Sequence, residues 1–287
     1  MFKKTAFLLL FALLQFFTSP LFAQNLKNRT EEMYPFGTVI IAKEPLPDKV
    51  YASQKDKIIV SVVYFEKGTS NIVMSSVGTG FVSKIPGIIL TVRHLLVETV
   101  TAYDYVFMGT IVTDSARINF PLFLIAKGEA GTFKDLMVLK TDVETLVKAR
   151  TDSDIVRPNP YSLLLRTSEF ADAKVDGKKV YISGFAPTVS EYFNKNNQPT
   201  SVYVDLINFT FTAEITAPVI DMPINKLGIR KLFRLIDSAE SGFSGGKVMN
   251  DNGQVIGMTI AASVARNFVY AISSKDIDQF LKDNKIK

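Results

Sequence analysis

From residue 57 onward the chain is built of short apolar runs, several alternating with a period of two, divided by polar turns. These are Ile58–Tyr64, Ile72–Ser75, Gly80–Ser83, Ile88–Thr91, Ile118–Ile125, Met137–Leu139, Val180–Ser183, Val202–Phe211, Val255–Thr259 and Phe268–Ile272. Runs of this length and spacing, with few amphipathic helices between them, predict an all-β sandwich or a pair of barrels. Between Lys247–Met249 and Gln254–Met258 stands Asn252-Gly253, two residues that tolerate positive φ, so a hairpin turn is expected there. The period changes at the C-terminus. Ile277, Phe280 and Leu281 share one face of a helix that Ser273 or Ser274 can cap, with Asp276 complementing its dipole.

The first residues follow a different pattern. Lys3-Lys4, an apolar stretch from Phe7 to Phe17 broken only by Gln15, and Leu21-Phe22-Ala23 read as an export signal over residues 1–23. The alternative, an uncleaved anchor, is opposed by Pro20 and by an apolar run shorter than the roughly 20 residues of a span. A periplasmic or secreted location is expected, and no stable membrane span. Residues 24–56 are polar, with Pro35, Pro45, Pro47 and one strand-like piece at Thr38–Ala42, and read as an extended arm. The polar stretch Glu144–Tyr161, with Pro158 and Pro160, marks a seam between two β units, 57–160 and 161–287.

Composition narrows the chemistry. The 287 residues are 47% hydrophobic and 21% charged, enough apolar material for one large domain or two small ones. Of the 33 Lys and Arg against 28 Asp and Glu, two lysines belong to the leader. The remaining slight excess gives no basis for nucleic-acid binding. With no cysteine and one histidine, thiol catalysis, a disulfide scaffold and nearly every zinc or haem site are excluded, and no metal or cofactor is expected.

That histidine, His94, stands where the apolar segment Gly87–Leu90 gives out, a place from which an imidazole could act as general base at the rim of a barrel. A second feature is Ser241-Gly242-Phe243-Ser244-Gly245-Gly246, just before the expected hairpin. Glycines on both sides allow a sharp turn that projects Ser244 Oγ while the amides of Gly242 and Ser244 converge on one oxygen as an oxyanion hole. A third is Asp135, at the mouth of the apolar run Leu136–Leu139, where a carboxylate can hold a histidine Nδ1–H. Asp104, Asp114 and Asp142 are rival acids, none directly before a comparable run. Ser244-Gly245-Gly246-Lys247 also matches a Ser-x-x-Lys acylase pattern, but that chemistry needs a helix, which two glycines oppose.

Together these segments resemble the trypsin/chymotrypsin-like serine proteases, most closely the bacterial Deg/HtrA type. The resemblance rests on Gly78-Thr79-Gly80-Phe81-Val82 with Ile89-Leu90-Thr91 and His94, on Asp135–Lys140, and on Gly242–Gly246. It covers about residues 57–282 and implies two six-stranded antiparallel β-barrels with a C-terminal helix and a cleft between the barrels. The implied activity is that of an exported serine endopeptidase acting on a polypeptide substrate, with catalytic His94, Asp135 and Ser244. The alternative is an inactive trypsin-fold binding protein whose cleft Phe243 or the segment Pro187–Thr200 has closed. Either Asp237 or Ser238 stands at the base of the substrate pocket. Ser238, with walls from Met258, Ile260 and Ala262, would favour aliphatic residues. Phe243 stands where the family usually has Asp or Asn, Lys247 where Pro is common, and Arg93 where a small or polar residue precedes the histidine. Phe243 has no carboxylate for a newly cut N-terminus, so activation by that route is not expected. The 15 residues after Ile272 leave no room for a PDZ module in this sequence, and no oligomeric state is implied.

Overall fold

The computed structural model describes residues 41–42, 45–53, 56–97, 103–113, 117–129, 134–151, 159–173, 179–193, 199–223, 229–236, 243–263 and 268–287. The expected leader and most of the arm lie outside them. Two short elements come first, β1 (Ile41–Ala42) and helix α1 (Asp48–Ser53).

Six strands then close a barrel: β2 (Lys57–Glu66), β3 (Ile72–Val82), β4 (Ile88–Thr91), β5 (Tyr103–Val112), β6 (Arg117–Lys127) and β7 (Met137–Lys140). Their order is β2-β3-β4-β7-β6-β5, and every pairing is antiparallel. Ile58, Val60, Val62 and Tyr64, spaced by two along β2, are wholly enclosed and join Phe81, Leu90 and Leu139 in the barrel core. The runs Ile72–Ser75 and Gly80–Ser83 are one strand, because pairing with β2 continues through the polar residues between them. β5 was not anticipated. Its Asp104, Tyr105 and Gly109 interrupt the apolar alternation, yet it pairs along eight residues of β2.

The expected seam is not a bare linker. It opens with helix α2 (Val143–Thr151), which begins where Asp142 accepts from the Thr145 amide at 3.1 Å and from its hydroxyl at 2.7 Å. A 3-10 turn, Pro160–Leu165, follows and buries Leu164 in the first core. The chain then crosses over. Ser168 is bonded to Ser83 and Val82 of the first unit, whereas Glu169 and Ala171 exchange backbone bonds with Val255 of the second.

The second unit comprises β8 (Lys179–Phe193), β9 (Pro199–Pro223), β10 (Ile229–Ile236), β11 (Lys247–Met249), β12 (Val255–Ser263) and β13 (Phe268–Ser273). Its sheet runs β1-β9-β10-β13-β12-β11-β8 and curls until β8 pairs with β9. Of the segment Pro187–Thr200, residues 187–193 end β8 and residues 199–200 begin β9, paired with each other, and the rest lies outside the described residues. β1 joins in parallel, with Ile41 opposite Phe209. Inside lie Val180, Ile182, Phe211, Phe243, Val269 and Ala271. The expected turn is present, with Gly253 at φ 71°.

Helix α3 (Ser274–Asp283) ends the chain. Ser273 caps it by accepting from the Asp276 amide, and Ile277, Phe280 and Leu281 are buried in a cluster that also holds Met258, Ile260 and Tyr270. The arm is also more structured than an extended lead-in, since Val50 of α1 packs on Tyr181 and Met249 of the second unit. Among the described residues no helix is long and apolar enough to cross a membrane. A closed six-stranded barrel, a curled antiparallel partner sheet and a terminal helix make the chymotrypsin-like architecture that the sequence implied.

Candidate active site

His94 sits in a 3-10 turn, Arg93–Leu95, at the end of β4. The turn is fastened from below. Tyr64, wholly buried in β2, places its hydroxyl 2.7 Å from the Val97 amide, which donates to it, and 3.4 Å from the Leu95 carbonyl. Thr91 donates to the Thr79 carbonyl at 2.7 Å, tying β4 to β3. Arg93, which stands where a small or polar residue precedes the family's histidine, is buried, and its guanidinium donates to the Leu96 carbonyl at 2.6 Å.

Asp135 reaches the same place from the loop just before β7. Its carboxylate is 2% exposed and faces His94 twice: Oδ2 lies 2.9 Å from Nδ1, and Oδ1 accepts the His94 backbone amide at 2.9 Å. A carboxylate only accepts, so Nδ1 carries the proton and Nε2 is left as the basic nitrogen of a half-exposed ring. The loop holding Asp135 closes tightly through Gly128, whose amide donates to Leu136 at 2.8 Å. A Cβ at Gly128 would lie 1.9 Å from the Lys134 carbonyl oxygen, so only glycine fits. Of the rival acids, Asp104 is an exposed residue of β5, Asp142 caps α2, and Asp114 lies outside the described residues.

Ser244 lies in a turn from Phe243 to Gly246, closed by the Gly246 amide on the Phe243 carbonyl at 2.7 Å. Thr259 of β12 clamps this turn. Its hydroxyl bonds to the Phe243 carbonyl and accepts the Gly246 amide at 3.1 Å, while its carbonyl accepts the Gly245 amide at 2.8 Å. Gly245 has φ 87°, and a Cβ there would fall 2.0 Å from the Thr79 carbonyl oxygen. The position therefore demands glycine twice over. Phe243 turns inward, packing edge-on against Phe211 at 5.3 Å between ring centres. The half-buried Ser244 accepts the Thr79 amide through its carbonyl at 2.9 Å. Its own amide meets no acceptor among the described residues.

The serine and histidine segments meet at Gly78. A Cβ built there would lie 2.9 Å from a methyl of Leu95, the neighbour of His94, and 3.0 Å from the Ser244 carbonyl oxygen. Gly242, Asp237 and Ser238 lie outside the described residues. Met258 and Ile260, expected as pocket walls, are enclosed in the cluster shared with α3, and Ala262 pairs with Val269 farther along β12. Among the described residues no three His, Asp or Glu side chains converge into a set that could hold a metal ion.

Sequence reasoning missed Tyr64 and Thr259, which carry no pattern beyond that of ordinary strand residues. It also missed a charged cluster between the two units. Lys247 is fully buried, with Nζ 2.5 Å from Asp56 Oδ1 and 2.8 Å from the Ser53 carbonyl. Lys57, also buried, reaches the Ser183 hydroxyl and Asn208 Oδ1, each at 2.5 Å. Burial pushes the Lys57 ammonium well below the usual lysine range, and repulsion from Lys247 adds to the shift. Lys247 is lowered too, again by burial, against the attraction of Asp56. A lysine signalled only by its departure from a family proline gave no hint of such a partner.

No protein-family model matches the chain, and no curated protein matches it. Among solved structures, the Rv3671c protease from M. tuberculosis in its active form is 16% identical, with a TM-score of 0.48, the match covering 88% of this chain and 92% of that one. Its inactive form matches at 15% identity, with a TM-score of 0.48 and coverage of 85% and 98%. A variant of the HtrA-type protease AlgW, solved with a tripeptide, is 17% identical with a TM-score of 0.48. That match covers 82% of this chain, which spans only 62% of AlgW.

Proposed function

We propose that this chain is an exported serine endopeptidase. The observation that carries the reading is the double contact of buried Asp135 with His94, at Nδ1 and at the backbone amide. A carboxylate so held fixes both the tautomer and the orientation of the one imidazole in the sequence. Support for the nucleophile comes from the tight, clamped turn of Ser244 and from its meeting with the histidine segment at Gly78.

Ser244 Oγ attacks a peptide carbonyl carbon as its proton passes to His94 Nε2. The oxyanion of the tetrahedral species is held by the amides of Ser244 and Gly242. Collapse breaks the C–N bond, and the proton on Nε2 goes to the departing amine. Water, deprotonated by the same nitrogen, then hydrolyses the acyl-enzyme and restores the serine. No metal or cofactor is needed. The inward turn of Phe243 counts against an inert cleft, since that ring is spent on the core of the second unit. Export rests on the leader, and Ser238 is kept as the base of the substrate pocket, whereas Met258 and Ile260, enclosed against α3, are not assigned as its walls.

A fluorophosphonate probe tests the reading. It should label the wild-type chain at Ser244 and leave Ser244→Ala and His94→Ala unlabelled, although both variants fold. Peptide hydrolysis retained by purified Ser244→Ala would end it.

A further inference from the structure

We propose that Lys247 and Asp56 form a positioning clasp that sets the nucleophile turn against the barrel carrying His94 and Asp135. The proposal rests on the protease reading above and concerns how its site is assembled.

Lys247 is three residues past Ser244 and begins β11, whose backbone pairs with Ser183 and Met258 inside the second unit. Its side chain leaves that unit. The ammonium lies 5.4 Å above the ring centre of Phe81, in the strand that also carries Gly78 and Thr79, and ends on the Asp56 carboxylate and the Ser53 carbonyl. Asp56 directly precedes β2. Ser168 lies beside it, with its hydroxyl 3.4 Å from Oδ2 and donating to the Val82 carbonyl at 2.7 Å. One residue of the serine segment is therefore held by an acid, a carbonyl and a ring that all belong to the arm or the first barrel.

The remaining polar ties near the turn are few. The Thr79 amide donates to Ser244, and the Phe185 amide donates to the Thr79 hydroxyl. Both act at Thr79, and the tie from Lys57 of β2 meets Ser183 and Asn208 in β8 and β9, away from the serine segment. Lys247 supplies a separate anchor that acts on the serine segment itself, three residues past Ser244, and joins it to the acid that precedes β2. Two fully buried charges are costly to desolvate, and an apolar pair of similar volume would often be no less stable. The ion pair is explained by its direction, from the nucleophile turn to the other half of the site.

The test compares wild type with the double variant Lys247→Met/Asp56→Leu, measuring kcat, KM, fluorophosphonate labelling rate and denaturant midpoint. The midpoint should be unchanged or raised, because no buried charge is left unpaired. At the same time kcat and the labelling rate should fall by about 10- to 100-fold, the cost of a small misplacement of reacting groups, with KM within about twofold of wild type. Equal kcat and labelling in a folded double variant would overturn the clasp. If the double variant folds poorly, Asp56→Asn is read instead: its midpoint should fall, because the buried Lys247 charge loses its carboxylate, and kcat measured where the chain is folded should fall with KM within about twofold, so an unaltered kcat there would overturn the clasp as well. A wild-type chain that neither labels nor cleaves would remove the protease reading and the clasp with it. A labelled, active wild type with an unimpaired variant would remove the clasp alone.

Discussion

Asp135 is asked to do one thing, to accept from His94 while staying out of water, and its two contacts and 2% exposure suit that role. Asp135→Asn keeps the shape but offers an NH2 group where an acceptor is needed, favouring the wrong tautomer. Steady-state kinetics should show kcat reduced by a factor on the order of 10⁴ in a folded protein. Asp142→Asn should leave kcat within about twofold, because that side chain caps α2 and its remaining oxygen can still cap. A large loss in the second variant and a small one in the first would reverse the assignment. Thr259 acts differently. Replacing it with Val keeps the volume but removes a hydroxyl shared between the Phe243 carbonyl and the Gly246 amide. The expected cost in chemical denaturation is about 1–3 kcal/mol, the penalty for stranding buried polar groups. Of these residues only Asp135 was legible in the sequence, from an acid placed before an apolar run. A threonine in a strand has no mark until the partner it clamps is seen beside it.

The same contrast holds for whole elements. Strands that read as short continuous apolar runs, such as β2 and β4, and the capped amphipathic α3 were legible because a local pattern alone marks them as buried elements. β5 and β10 were not. The sequence of β10, Ile229–Ile236, places three basic residues among its apolar ones, and its strand state comes from pairing with β9 and β13. α1 was hidden by Pro45 and Pro47, although proline ahead of a first turn is compatible with a helix starting there. The loop joining β6 to β7 offers a test at this scale. Gly128→Ala would drive a methyl into the Lys134 carbonyl, forcing the loop to shift just where it delivers Asp135. A displacement of about 1 Å between catalytic groups can cost on the order of 10²-fold. Gly128→Ala should therefore lower kcat by that order while circular dichroism shows an intact fold; a kcat equal to wild type would mean that the loop does not position the acid.

At the scale of the molecule, what joins the two units is partly charged, and this gives stability a predictable dependence on pH. Lys57 and Lys247 are both buried with ammonium groups shifted below their ordinary range, Lys57 the more strongly, while the Asp56 carboxylate is bonded to Lys247. In the unfolded chain a lysine keeps its proton up to about pH 10.4. In the folded chain Lys57 releases its proton at a lower pH. Across that interval the unfolded state binds more protons, so stability rises with pH; below it both states are charged and the full cost of the buried ammonium is present. Lys57→Met removes this component. Relative to wild type, the variant should show its most favourable difference in unfolding free energy at neutral pH and below, and that difference should decline as pH is raised toward 10. Comparing wild type with the variant cancels the groups that titrate in alkali away from this cluster, and relief of the repulsion on Lys247 belongs to the same component. Urea unfolding of both proteins from pH 6 to 10 measures the quantity directly. Parallel stability curves would show that Lys57 has the same proton affinity folded and unfolded, contradicting its burial between Asn208, Ser183 and the charge of Lys247.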